Sequence, residues 1–305
     1  MRWFETPNFD FISIHKIAYV FSGLLIAASI IGILTKGLQY GIDFKGGKEF
    51  VLEFSKPVEV TQIRNQLAGP LESAPVVKKF GSPQDILIRT DNPGEISAVQ
   101  QTIVDSMKKL YPNISVDVEK TDIVGPRFAE DLKDASFNAI IFALIAIFLY
   151  ILVRFKDWAF SAGAVAALFH DVMIVLGIFT IFSNILPFNL QIDEAIVAAF
   201  LTIVGYSIND TVVVFDRIRE NSLLYKTMDE EEMINKSLND TLSRTVITSL
   251  TTLFTVTVLF IFGGEVLKGF SFALMLGIIV GTYSSIFIAS PLAMDLRGSR
   301  QKQNA

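Results

Sequence analysis

The chain has 305 residues, 51% of them hydrophobic, with 26 Phe and a mean hydropathy of +0.49. Soluble domains seldom combine these values, so the composition points to a membrane protein. A net charge of −5 without a long basic block argues against a nucleic-acid partner, and the absence of Cys excludes disulfides and thiolate chemistry.

Six apolar stretches, at 17–34, 137–153, 158–182, 195–215, 246–262 and 269–292, are each long enough to cross a bilayer as helices. Such a crossing takes roughly 20 residues. The first stretch exceeds the length of a signal-peptide core and is read as an uncleaved anchor. Arg154 and Lys156 lie between the second and third spans. Arg217, Arg219, Lys226, Lys236 and Arg244 lie between the fourth and fifth, whereas 183–194 holds no Lys or Arg. The positive-inside rule then puts both termini in the cytoplasm, as expected of a multi-pass cytoplasmic (inner) membrane protein.

The expected organisation is a cytoplasmic start and first span (1–34), an extracytoplasmic domain (35–135), and five further spans (136–305) with a cytoplasmic loop at 216–243. Within 35–135, strand character at 48–55, helical spacing at 60–69, a hairpin over 75–90 turning at Gly81, an amphipathic helix at 95–110 and a strand at 113–124 follow in order. This β-α-β-β-α-β order predicts a ferredoxin-like domain. The fold class is therefore an all-α membrane bundle of six helices carrying one α+β domain between the first and second. Within this loop "MDEEEMINKSLNDTLSR" reads as an interfacial or solvated helix, whose acidic run keeps the loop in water or, alternatively, docks a partner.

Enzyme motifs are absent from the sequence: no P-loop, H-E-x-x-H or G-x-S-x-G occurs, and there are only two His. The informative residues are ionisable groups inside apolar spans, which usually face the bundle interior and often mark ion pathways. Asp210 lies inside the fourth span with Ser207 one turn back and Asn209 beside it. It either pairs with Arg217, seven residues on and on the same face, or titrates during transport. Arg244 opens the fifth span, followed on one stripe by Thr248, Thr251, Thr252 and Thr255. That stripe reads either as a polar seam or as hydroxyls satisfied on carbonyls one turn back that permit close packing, and Arg244 as an anchor unless the seam faces Asp210. His170 and Asp171 sit in the middle of the third span and serve either an interhelical hydrogen bond or a proton path. Asp193 and Glu194 suit the N-terminal dipole of the fourth span. The "GIIVG" of 277–281 allows a close helix contact.

Four segments together resemble the SecF family: "YGIDFKGG" (40–47), "HD" (170–171), "VGYSINDTVVVFDRIREN" (204–221) and "SRTVITSLTTL" (243–253). Members are six-span subunits of the SecDF accessory complex of the Sec translocase, related to resistance-nodulation-division transporters. The resemblance implies partnership with SecD and the SecYEG channel, and contact with a translocating preprotein. It also implies proton-driven assistance to export, with no cofactor. It assigns proton movement to Asp210 and Arg244, with Asn209, Ser207, Asp171, His170 and Thr248 around them. It marks Gly41, Asp43, Phe44, Gly46 and Gly47 as the motif that opens the external segment. Protons or sodium ions could be the driving ion. The competing readings are an assembly subunit without ion coupling, and half of a small-molecule efflux transporter.

Overall fold

The computed structural model describes residues 7–303 except 73, 74, 184 and 187. Residues 1–6 of the expected cytoplasmic N-terminus, and 304–305, lie outside the described residues. The helices are α1 (His15–Lys36), α2 (Ile42–Lys45), α3 (Val60–Ala68), α4 (Ile96–Leu110), α5 (Pro126–Phe155), α6 (Trp158–Phe182), α7 (Glu194–Leu224), α8 (Glu230–Phe262), α9 (Gly264–Ser284) and α10 (Ser290–Gln303). The strands are β1 (Gly47–Phe54), β2 (Val76–Phe80), β3 (Ser82–Thr90) and β4 (Val116–Val124). Six helical segments are long and apolar enough to cross a membrane, the sixth running through α9 and α10. Half of the apolar stretch is buried in α6, in α7 and in α9–α10, against 6% in α5 and 17% in α8. The first three form the centre of the bundle, and α1, α5 and α8 its rim.

The strands pair antiparallel in the order β2-β3-β1-β4. Alternation along them sends Phe50, Leu52, Phe54, Val77, Ile86 and Ile88 to one face. There Ile63 and Leu67 of α3 and Val99, Ile103 and Met107 of α4 cover them. The opposite face carries the cross-strand pair Val51 and Leu87, each only 2% exposed. That burial arises because this second face sits on the end of the helix bundle, where the Arg89 guanidinium donates to the Tyr40 carbonyl (3.2 Å).

The joint between sheet and bundle is the YGIDFKGG segment. Tyr40 forms an isolated parallel bridge with Ile192, and the Gly41 N–H donates to the Ile192 carbonyl (2.8 Å). Phe44 of α2 is buried against Phe179, Ile192 and Ile196. Gly46 (φ 73°) and Gly47 (φ 122°) have positive φ, which side chains rarely tolerate. A Cβ would also lie 3.0 Å from Pro126 Cα at Gly46 and 2.9 Å from the Thr90 carbonyl oxygen at Gly47. The glycine pair therefore lets the chain leave the bundle beside α5 and enter the sheet at once.

The helix expected at 228–244 is present as the first half of α8, which joins α7 through residues 225–229, but its solvated character requires correction. The acidic run also has a structural role: Asp229 caps α8 through the Glu231 N–H (3.0 Å), and Glu230, Glu231 and Glu232 occupy its positive first turn. This first half of α8 is packed rather than solvated, with Met233, Ile234, Ser237 and Leu238 buried. It also clamps the chain ahead of α1. Asn239 accepts from the Phe9 N–H (2.9 Å) and donates to the Phe9 carbonyl (2.8 Å), while Asn235 accepts from the Phe11 and Ile12 N–H groups (2.9 and 3.1 Å). Replacing Asn239 by Ala should cost about 1–3 kcal/mol, because the clamped backbone groups lose their partners. Hydrogen exchange should show loss of protection at Phe9, with α9 unaffected.

Candidate functional site

Two carboxylates lie in the centre of the bundle, and their surroundings differ. Asp171 on α6 is 0% exposed. Its Oδ2 accepts from Ser207 Oγ of α7 (2.6 Å) and Ser284 Oγ of α9 (2.9 Å), and its Oδ1 faces His170 Nδ1 (2.9 Å). The other ring nitrogen, His170 Nε2, meets Ser22 Oγ of α1 at 2.9 Å. With Nδ1–H donating to Asp171, Nε2 accepts from Ser22 in the neutral ring and donates to it in the imidazolium. Tyr283 completes the cluster: its OH lies 3.1 Å from Ser22 Oγ and donates to the Ala18 carbonyl, and its ring stacks on His170. Four helices are thus joined through one carboxylate with three polar neighbours.

Asp210, near the middle of α7, is 3% exposed and has far less support. Its single hydrogen bond comes from Ser249 Oγ of α8, at 3.3 Å. Ser249 in turn contacts Thr282 Oγ1 of α9 (2.7 Å), whose hydroxyl donates to the Ile278 carbonyl (2.8 Å). Arg217, the same-helix alternative, pairs instead with Glu220 (2.9 Å). Arg244 is exposed and forms no ion pair with Asp210, although its charge acts on that carboxylate.

Close packing of α9 on α7 sets both groups. A Cβ on Gly277 would lie 2.2 Å from Ile203, and one on Gly281 3.0 Å from Ser207 Cβ. The GIIVG spacing therefore brings Ser284 and Thr282 against α7. Just beyond, the backbone passes through a π-helical turn (Ser285–Ala289), with the Ser290 hydroxyl donating to the Ser285 carbonyl (2.9 Å). Turns of this kind occur often beside functional groups.

The expected site residues divide accordingly. His170, Asp171 and Ser207 meet in one cluster, and Asp210 lies on the same helix as Ser207, one turn further on. Ser207 thus serves Asp171 rather than Asp210. Asn209 faces away, into a cleft beside Ala146 and Tyr150 of α5. The threonine seam is also turned outward: Thr251 and Thr255 are exposed, and Thr248, Thr251, Thr252 and Thr255 all return their hydroxyls to carbonyls one turn back. Such bonds satisfy the hydroxyl locally and leave no reason to face inward. The buried stripe of α8 is instead Leu242, Thr245, Ser249 and Val256. Ser22, Ser249, Thr282 and Ser284 were missed by residue type; only the helical register of Ser249 with Thr245 and Leu242 carries a signal for it.

At the sheet end of α7, Asp193 caps the helix through the Ile196 N–H (2.8 Å), and Asp43 of α2 accepts from the Glu194 N–H (3.1 Å). The YGIDFKGG segment is therefore fastened to the helix carrying Asp210. Burial pushes the Asp193 carboxyl up to about 6, against the opposing Ile196 hydrogen bond and with added repulsion from Asp43 and Glu49.

Six membrane-length helices, a sheet domain inserted between the first two, and carboxylates enclosed in the bundle define a multi-pass membrane protein with ionisable interior sites. Residues 102–299 match the family described as protein export membrane protein SecD/SecF, C-terminal, and residues 31–58 match the SecD/SecF GG motif. The chain belongs to the SecD/SecF family, on its SecF side. It is 56% identical over 297 residues to the protein translocase subunit SecF of Rhodothermus marinus, covering 97% of this chain and 96% of that one. To the SecF of Calditerrivibrio nitroreducens it is 42% identical over 300 residues (97% and 96% covered). Among solved structures it is similar to SecDF, a translocon-associated membrane protein, from Thermus thermophilus, with a TM-score of 0.86 and 35% identity over 97% of this chain. A SecDF structure in a super-membrane-facing form gives 0.72 and 34% over 99%. The chain spans 40% of the length of each of these SecDF chains.

Ser284→Ala should destabilise the protein by about 1–3 kcal/mol, the cost of leaving a buried polar group short of a partner. Thr251→Ala, on the outward stripe, should stay within about 0.5 kcal/mol. Denaturant unfolding in detergent compares the two. Asp193 has its folded value above the ordinary 3.8, so the folded protein holds more protons between about pH 4 and 6 and loses stability as pH rises through that range. Asp193→Asn keeps the cap and should flatten this slope in thermal melts.

Proposed function

We propose that the chain is the ion-coupled SecF subunit of a SecDF-type complex that assists preprotein export, with Asp210 as the group that exchanges the proton. The sparse solvation of Asp210 carries this reading: among the described residues this buried carboxylate has one 3.3 Å hydrogen bond and no ion-pair partner, beside a second carboxylate with three polar neighbours. An anion so placed is costly in an apolar bundle, and taking up a proton relieves the cost. Ser249 and Thr282 receive or pass that proton. Arg244 acts on the charged form from the edge of α8, with the unpartnered Thr245 hydroxyl beside it on the helix.

The Asp171 cluster holds α7 to α6 and α9 through Ser207 and Ser284, so α7 moves together with those helices and relative to α8. Motion of α7 reaches the sheet domain through Asp43, Asp193 and the Tyr40–Ile192 bridge. We read that domain as ferredoxin-like and extracytoplasmic, engaging the emerging preprotein, and both termini as cytoplasmic, in keeping with the Lys and Arg distribution. SecD would cover part of the apolar rim, and the pair would act beside SecYEG. The differing similarity to two SecDF forms (0.86 and 0.72) is in keeping with a rearranging family. A potential of 100 mV supplies about 2.3 kcal/mol per charge, and one pH unit adds about 1.4. One proton can therefore bias a two-state rearrangement several-hundredfold.

In vesicles reconstituted with the partner subunits, Asp210→Asn should abolish the stimulation of preprotein export by an imposed proton gradient, with assembly intact. Ser249→Ala should slow it by roughly fivefold, the worth of one hydrogen bond. Full gradient-dependent export by Asp210→Asn would leave only a structural role for the subunit. Stimulation by a sodium gradient alone, lost in the same variant, would assign the site to sodium.

A further inference from the structure

A cavity of about 480 Å³ opens where β2 and α3 of the sheet domain meet the segment that follows α6. Arg64, Lys78 and Lys79 line it together with Phe80, Leu186 and Phe188, and no acidic residue does. In a chain of net charge −5 this is local segregation of positive charge, not a reflection of composition. Among the described residues neither lysine forms an ion pair. Lys78 is half-buried, and the charged groups that act on it, Arg89 and Lys45, are themselves cationic; burial, reinforced by both, holds its ammonium below the ordinary value. Arg64 spends one nitrogen on the Val77 carbonyl (3.1 Å).

The opposite wall sets apolar Leu186 and Phe188 beside the polar Ser183 and Asn189. Phe188 packs edge-on against Phe260 of α8 and Phe272 of α9, and Leu186 lies just past the end of the apolar α6. The cavity therefore sits at the level where a bilayer's hydrocarbon gives way to headgroups, with cations on the domain side and hydrocarbon on the bundle side.

We propose that this cavity binds the phosphate headgroup of an anionic phospholipid, with the glycerol and first acyl carbons against Leu186 and Phe188. Three cations without a competing acid suit a phosphate. The volume is that of a headgroup and too small for a folded partner. The lipid would join the sheet domain to the bundle on the side away from the glycine joint.

The test uses the full chain in neutral detergent, with native mass spectrometry reading retained lipid. Wild type should retain phosphatidylglycerol at least tenfold over phosphatidylcholine. Combined Arg64→Gln, Lys78→Gln and Lys79→Gln should reduce that retention by roughly a hundredfold, whereas Lys108→Gln with Lys109→Gln on α4 should not. The single exposed substitution Lys79→Gln, expected to lose roughly fivefold, keeps the test decisive should the triple variant misfold. Millimolar inorganic phosphate should not displace the lipid; displacement would make this a free-anion site. Equal retention of the two lipids, unchanged retention in the variants, or displacement by an acidic peptide would each overturn the proposal.

Discussion

The carboxylate of Asp171, placed where water cannot reach it, is the constraint on which the bundle depends. Such a charge persists only if protein groups replace its hydration. The Ser207 and Ser284 hydroxyls and the His170 ring do so, and His170 extends the linkage to Ser22. Each partner comes from a helix that must hold its position for the bond to survive, so α1, α6, α7 and α9 are fixed to one another at one depth. Gly277 and Gly281 make this possible, since a larger residue at either would hold α9 away from α7.

Asp210 is placed by the same helices and supplied differently. The approach of α9 that gives Ser284 to Asp171 also brings Thr282 to Ser249, and among the described residues Ser249 is the hydroxyl that reaches Asp210. Asp171 has three polar neighbours, while Asp210, one turn from Ser207 along α7, accepts one hydrogen bond among the described residues. A rigid helix then joins this second group to the sheet domain, because Asp43 and Asp193 bind the opposite end of α7.

Much of the architecture was legible in the sequence. The apolar runs place all six spans, since hydrocarbon demands long apolar helices, and the alternation in 47–124 places each strand and helix of the sheet domain within a few residues. Where reading failed, a local device competed with the pattern. The helix that starts at Asp229 reads as a solvated one because its acidic first turn does not reveal the packed face that follows. The threonines of α8 admit two readings, a polar seam or hydroxyls satisfied on their own helix, and spacing alone does not choose between them. The short α2 has too few residues for any periodicity and forms because Phe44 finds a buried seat against α6 and α7.

The site was half legible for a related reason. Asp171, His170 and Asp210 could be singled out by sequence alone, because an ionisable residue in an apolar span is costly whatever surrounds it. Which serines and threonines meet them, that Ser207 serves Asp171, and that Asn209 and the threonine stripe turn away were decided only by tertiary structure. A hydroxyl is cheap on any helix face, so its presence in the sequence does not reveal its partner. The rotation of each helix against its neighbours, set by glycines and packed side chains far apart in the chain, makes that choice.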